Sequence, residues 1–192
     1  SATMSLTSSH CACLVSSEIV SFRPAQPGDA AALARLAREA FDAAFGHLYQ
    51  PQDLAAFFAS NRSDERYAGH IDDPATKVQL AEVDGKLVAY ALIVMGKGFD
   101  ERPEPEPERP VMLSQLYCAG EATGQGIGAA LLDWAIDEAR GWGADALQLS
   151  VYSKNFGAQR FYRRRGFDHV ADIHYWVGNH CDDEFLYELP LR

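Results

Sequence analysis

The chain has 192 residues, of which 47% are hydrophobic, so it is long and apolar enough to bury the core of a domain. Its 17 basic and 27 acidic side chains give a net charge of −10, which disfavours binding to nucleic acid or to an anionic membrane and suits a cationic small molecule. No apolar stretch approaches the roughly 20 residues of a membrane span, and the Ser- and Thr-rich residues 1–17 lack the basic start of a secretory signal. We therefore predict a cytoplasmic protein with a loosely ordered tail over residues 1–17 and a single domain over residues 18–192.

Hydrophobic periodicity in the first half of the chain predicts one strand, then helices, then a hairpin. Pro27-Gly28-Asp29 opens the first helix, and Asp84-Gly85 is typical of a tight hairpin turn. In chain order the predicted elements are a strand over residues 18–23, helices over residues 30–45, from Pro51 and over residues 63–71, and two strands within residues 77–96. The alternating Pro and Glu of residues 100–110 predict an exposed, extended loop.

The second half of the chain alternates between strands and helices. Its predicted elements are strands over residues 111–118 and 146–152, helices over residues 125–140 and 155–164, and an antiparallel pair over residues 167–177 and 184–189 around the turn GNHCDD. This alternation predicts an α/β fold, in which a mixed sheet carries helices on both faces.

A glycine-rich turn, ATGQGIGAALL from Ala122 to Leu132, is typical of a site that binds a phosphate group. Glycines let the backbone approach an anion, and the helix that follows offers unpaired N–H groups. Gly124, Gly126 and Ala129 also fit the G-x-G-x-x-A spacing of a dinucleotide fingerprint. That fingerprint belongs after the first strand of its fold, whereas this turn follows three or four predicted strands. The topology therefore argues against a nicotinamide cofactor.

Two separated motifs resemble those of the GNAT N-acetyltransferase family. The segment VMLSQLYCAGEATGQGIGAALLDWAIDEA is similar to the family's motif A, with Gly126 and Gly128 in place but Thr123 where a basic or amide residue is usual. The segment LSVYSKNFGAQRFYRRRGF is similar to motif B, and its matching residues are Asn155, Ala158, Phe161, Tyr162, Gly166 and Phe167. The resemblance implies the GNAT acyl-CoA N-acyltransferase fold, with a mostly antiparallel sheet of about seven strands. More loosely, the chain resembles the polyamine and diamine acetyltransferase branch.

The resemblance implies that acetyl-CoA is the acetyl donor. Two strands would splay apart so that one of them pairs with the pantetheine arm, and the N–H groups of the glycine-rich turn would hold the pyrophosphate. The residues expected to contact acetyl-CoA are Leu116, Tyr117, Cys118, Thr123, Gly124, Gln125, Gly126, Ile127, Gly128, Ala129, Asn155, Ala158 and Tyr162. The side chain of Ile127 is expected in the core, so that only its backbone faces the anion.

The catalytic residue implied by the resemblance is Tyr162, as the general acid that protonates the leaving thiolate. Its alternative is a core aromatic, like the adjacent Phe161. Asn155 is likewise either a helix cap alone or a cap that also contacts pantetheine. Family members transfer the acetyl group directly, so an acyl intermediate on Cys118 is not expected. No metal is expected, because the spacing of the four cysteines fits no zinc site.

The acceptor amine must lose a proton before it reacts, yet the motifs name no clear base. The glutamate that the family often places on the motif A strand is replaced in the neighbourhood of Ser114 and Gln115. The family's first helix lines the acceptor side, which makes Asp42, His47 and Tyr49 candidate acceptor-binding residues. The acidic residues 182–184 either attract a polyamine or only keep a turn soluble.

The leading hypothesis is an N-acetyltransferase that acts on a small-molecule primary amine, with a polyamine as the favoured acceptor. A protein, peptide or antibiotic amine is the alternative within the same class. A non-catalytic acyl-CoA sensor is the alternative from another class. Family members are often homodimers, which is the one protein partner that the resemblance suggests.

Overall fold

The computed structural model describes residues 18–192, so the predicted tail lies outside the described residues. In chain order its elements are β1 (Val20–Pro24), α1 (Ala30–Phe45), α2 (Pro51–Asn61), α3 (Asp64–Asp72), β2 (Thr76–Val83), β3 (Lys86–Met95), β4 (Pro110–Cys118), α4 (Ile127–Trp142), β5 (Ala146–Tyr152), α5 (Phe156–Arg163), β6 (Asp168–Val177) and β7 (His180–Pro190). In this part of the chain, no helix combines the length and the apolar character that crossing a bilayer requires.

Two predicted boundaries were wrong. Helix α4 begins at Ile127 rather than at Gln125, because Gly124 and Gly126 both adopt a φ of +78° that cannot continue a right-handed helix. Strand β7 begins at His180 rather than at Glu184, so the predicted turn GNHCDD shortens to two residues. Gly178 makes this possible with a φ of +58°, since tight hairpin turns need a left-handed residue.

The seven strands form one sheet in the order β1-β2-β3-β4-β5-β7-β6. Every neighbouring pair is antiparallel except β4 and β5, which confirms the mixed, mostly antiparallel sheet. Strand β3 is buried on both faces: Ala89, Ala91 and Ile93 belong to the core cluster that contains α4, and Tyr90 and Leu92 to the cluster that contains α1. Helices therefore cover both faces of the sheet, as predicted.

The parallel strands β4 and β5 separate after a short stretch of pairing. Only three residue pairs join them, and the last is Met112 with Gln148. Directly beyond this pair, β4 contains a bulge at Ser114, because Leu113 and Gln115 pair with consecutive residues of β3. A bulge bends its strand and increases the local twist, which directs the rest of β4 away from β5. A gap thus opens in the middle of the sheet.

Candidate functional site

The gap between β4 and β5 opens into a cleft of about 280 Å³ that is accessible to solvent. Residues of β4 beyond the bulge form one wall, and residues 149–152 of β5 form the other. The sequence-predicted site residues that line the cleft are Tyr49, Leu116, Tyr117, Cys118, Thr123, Asn155, Ala158 and Tyr162. Residues from both motifs and from the segment after α1 therefore share one cavity.

The glycine-rich turn stands at the start of α4 and offers unpaired backbone N–H groups. Gly126 is the N-cap residue, and no side chain caps the helix. The first N–H groups of a helix have no acceptor within it, and the positive end of the helix dipole adds to their affinity for anions. A Cβ atom built on Gly124 or Gly126 would meet nothing within 4 Å, so the space beside the turn is open.

The two polar side chains of this turn contact the backbone before it. The Thr123 hydroxyl donates a hydrogen bond of 2.8 Å to the carbonyl of Gly120. The Gln125 amide donates one of 3.2 Å to the carbonyl of Glu121. Both side chains thus brace the turn, and anion binding depends on the backbone N–H groups that follow.

Helix α5 supplies the second set of predicted residues. Asn155 is its N-cap and accepts a hydrogen bond of 3.1 Å from the N–H of Ala158, so the cap interpretation is confirmed. Tyr162 lies edge-on against Phe161 and Phe167, with ring centroids 5.2 and 5.6 Å away. Tyr162 is thus both packed on core aromatics and part of the cleft lining.

The electrostatic environment keeps Tyr162 and Cys118 protonated at neutral pH. Burial raises the pKa of the Tyr162 phenol, and neighbouring Tyr117 and Cys118 raise it further. Burial also raises the pKa of the Cys118 thiol, which is therefore a weak nucleophile. The phenol is in the correct state to donate a proton, whereas the thiol is poorly prepared to attack a thioester.

Asp42 and His47 are exposed and do not line the cleft, although both were candidate acceptor-binding residues. The face of α1 that reaches the cleft carries Phe41 and Phe45, and Asp42 projects away from it. Of the three candidates in this region, Tyr49 alone lines the cleft.

Glu184 of β7 belongs to the acidic residues 182–184, from which the sequence did not distinguish it as a candidate base. Among the described residues it is the one carboxylate of the cleft lining, and burial raises its pKa above the ordinary glutamate value. The neighbouring Asp182 is 5% exposed, accepts a hydrogen bond from the Tyr49 hydroxyl and contacts Nε2 of His180 at 3.1 Å. Asp182 therefore has its partners within the protein, whereas Glu184, which interacts with Ser150, also lines the cleft and can meet a ligand there. Strand periodicity places both on one side of β7 and was the only signal available.

Arg62, which follows α2, was also missed from the sequence. It lines the cleft although it is only 5% exposed, and its guanidinium carbon lies 4.9 Å from the ring centroid of Phe57. An arginine after a helix normally extends into water, so nothing in the local pattern predicted its burial.

Comparison with known proteins identifies the family. Residues 32–167 match the family model described as the acetyltransferase (GNAT) family. The chain belongs to this family. An uncharacterized N-acetyltransferase of Mycobacterium tuberculosis is 32% identical over 158 residues, covering 82% of this chain and 95% of the relative. These matches confirm the GNAT resemblance, and the chain is an acetyl-CoA-dependent N-acetyltransferase.

Two further GNAT relatives bear on the fold and on the acceptor. The crystal structure of PaiA N-acetyltransferase from Thermoplasma acidophilum in complex with coenzyme A is 20% identical, with a TM-score of 0.72 over 90% of this chain and 99% of that one. An aminoalkylphosphonate N-acetyltransferase of Salmonella typhimurium is 50% identical over 55 residues, which cover 29% of this chain and 36% of the relative. The first confirms the predicted fold. The polyamine branch is not confirmed by these names.

Proposed function

We propose that the enzyme transfers the acetyl group of acetyl-CoA directly to a primary amine in the cleft between β4 and β5. The observation that carries this proposal is the separation of β4 from β5 beyond Met112, with a protonated Tyr162 in the cavity between them. Of the glycine-rich turn only Thr123 lines this cavity, and residues 124–129, which lead into the uncapped start of α4, follow directly after it. No other described cavity combines an open strand edge with a helix N-terminus and a buried phenol.

Acetyl-CoA would bind along the open edge of β4 and reach the start of α4. The backbone of residues 116–118 has no partner strand on the β5 side, so its amide groups suit hydrogen bonds to the pantetheine arm. The pyrophosphate would accept hydrogen bonds from the N–H groups of residues 124–129. The cap at Asn155 uses only its carbonyl oxygen, which leaves the amide NH₂ as a donor to pantetheine.

In the chemical step the amine nitrogen attacks the thioester carbonyl carbon, the new N–C bond forms and the C–S bond breaks. At pH 7 an alkylamine with a pKa near 10.4 is neutral in only about one molecule in 2,500, a deficit of about 4.6 kcal/mol. Glu184 accepts the amine proton, directly or through water, and its raised pKa makes it a stronger base than an exposed carboxylate. Tyr162 donates its proton to the thiolate that leaves.

The acceptor proposed from the net charge of −10 is a polyamine, and the aminoalkylphosphonate of the Salmonella relative is a second candidate. The cleft itself is not an acidic groove: its charged lining consists of Glu184 and Arg62. The two candidates differ in the sign of the charge far from the reacting amine. That charge is the feature that an acceptor panel must vary.

The test of the proposal is Tyr162→Phe in a thiol-release assay with acetyl-CoA and a panel of amines. We expect kcat to fall about 100-fold or more, because general acid catalysis contributes that much, while acetyl-CoA affinity stays unchanged. Acetyl-CoA at 100 times its Kd should stabilise wild type and Tyr162→Phe alike against unfolding, by about 2.7 kcal/mol. The matched control is Tyr187→Phe, which removes a buried hydroxyl that has no hydrogen-bond partner among the described residues. Wild-type turnover in Tyr162→Phe would refute the general-acid assignment, and no turnover with any amine would favour the sensor.

A further inference from the structure

Arg62 holds a buried positive charge that lacks a counter-ion among residues 18–192. Its Nη1 donates a hydrogen bond of 3.1 Å to the carbonyl of Asn61, and its Nε is buried with no partner. Among residues 18–192, no carboxylate lies within 4.0 Å of its guanidinium. Removing a guanidinium from water without an anion is costly, so this arrangement needs a reason.

The protein holds this side chain in a fixed position. Its guanidinium lies beside a pair of aromatic rings that contact each other, with its carbon 4.9 Å from the centroid of Phe57 and 5.8 Å from that of Phe41. Its backbone carbonyl accepts a hydrogen bond of 2.6 Å from Nη1 of Arg38. These contacts reduce the entropy lost when the guanidinium binds a ligand.

Arg62 and Glu184 both line the cleft and both act on a third lining residue, Tyr175 of β6. Burial is the main cause that raises the pKa of Tyr175; the positive charge of Arg62 lowers it and the negative charge of Glu184 raises it. Among its described residues, the cleft lining thus presents one fixed cation and one carboxylate. Such a pair is complementary to a molecule that carries an amine at one end and an anion at the other.

We infer that the acceptor carries an oxyanion, a carboxylate or a phosphonate, that pairs with Arg62 while its amine lies at Glu184. This inference rests on the proposed function and replaces the polyamine as the acceptor class. A planar guanidinium can bind either oxyanion through parallel N–H···O bonds, and Nε of Arg62 has no acceptor of its own among the described residues. The distal ammonium of a diamine would instead be repelled by the Arg62 charge.

The experiment compares amines that share one two-carbon spacer and differ only in the distal group. Beyond that spacer, β-alanine carries a carboxylate, 2-aminoethylphosphonate a phosphonate, n-propylamine a methyl group and 1,3-diaminopropane a protonated aminomethyl group. We expect kcat/KM for at least one of the two anionic amines to exceed that for propylamine about 30-fold or more, and the diamine to be the poorest acceptor. The ratio of kcat/KM for β-alanine to kcat/KM for 2-aminoethylphosphonate shows which oxyanion the site prefers.

Three variants assign the preference to Arg62. Arg62→Met should remove it while the KM for acetyl-CoA stays unchanged, and Arg62→Lys should keep part of it because the charge remains. Arg66→Met is the matched control, because it removes an exposed arginine outside the cleft. If Arg62→Met does not fold, the wild-type ranking and Arg62→Lys still decide the question.

A binding measurement separates this inference from the proposed function. Propionate and ethylphosphonate contain no amine, so their stabilisation of the CoA-loaded protein in a thermal shift assay reports the anion site alone. Stabilisation of wild type but not of Arg62→Met by these anions would support the inference. It would do so even if no amine were acetylated, because a lack of acetylation would overturn only the proposed function. Acetylation of amines without an anion preference would overturn the inference and leave the proposed function standing. Equal stabilisation of wild type and Arg62→Met would also overturn it.

Discussion

Replacing Gly126 by alanine tests whether the turn before α4 binds the pyrophosphate. Gly126 has a φ of +78°, and alanine in that conformation costs about 1–2 kcal/mol of folding free energy. Steric overlap adds nothing, since the new Cβ would meet no protein atom within 4 Å. For a domain of this size the loss corresponds to a Tm about 2–8 °C lower. The methyl group would occupy the space proposed for the phosphate, so the Kd for CoA should rise at least about tenfold, or 1.4 kcal/mol.

Gly143→Ala is the matched control, because Gly143 ends the same helix with a φ of +84°. Its Cβ would meet only Nε of Arg109, at 3.9 Å, so the strain is similar and the site is distant from the cleft lining. Thermal unfolding should show equal losses of stability in the two variants. Calorimetric titration with CoA should show a loss of affinity in Gly126→Ala alone. Equal affinities of the two variants for CoA would refute the assignment of the pyrophosphate to this turn.

Three further predictions concern the base, a buried ion pair and the core. Glu184→Gln should lower kcat about 100-fold or more, and it should remove the bend of the wild-type kcat/KM profile at the raised pKa of Glu184, leaving only the fall that protonation of the free amine causes; an unchanged bend would contradict this. Arg102 binds Glu188 at 2.9 and 3.0 Å and holds the pKa of that carboxyl below 4.5. Glu188→Gln should therefore cost about 1–3 kcal/mol at pH 7, and the cost should vanish as pH falls through the lowered pKa; urea unfolding that shows a pH-independent difference would argue against the pair. Leu92→Ala, at a fully buried position of β3, should cost about 2–5 kcal/mol in the same assay without changing the KM for acetyl-CoA, and a change below 1 kcal/mol would contradict its place in the core.

Local patterns in the sequence determined most of the secondary structure and the cofactor half of the site. The helical stripe of residues 30–45 and the Asp84-Gly85 turn depend on contacts between near neighbours, so they could be read from the chain directly. Gly126, Asn155 and Tyr162 belong to motifs whose spacing a strand, a turn and a helix impose. For these residues, the motif alone was enough to predict a place in the site.

Tertiary structure alone decided the acceptor half of the site. Glu184 reaches the cleft because of the register of β7, and a shift of one residue would turn its side chain to the opposite face. Arg62 is buried against a pair of aromatic side chains from α1 and α2, whereas the same arginine on an isolated helix would be hydrated. The cleft exists because β4 and β5, separated by α4 in the sequence, stop pairing after three residues. Contacts between distant segments control each of these features, and periodicity carries no information about such contacts.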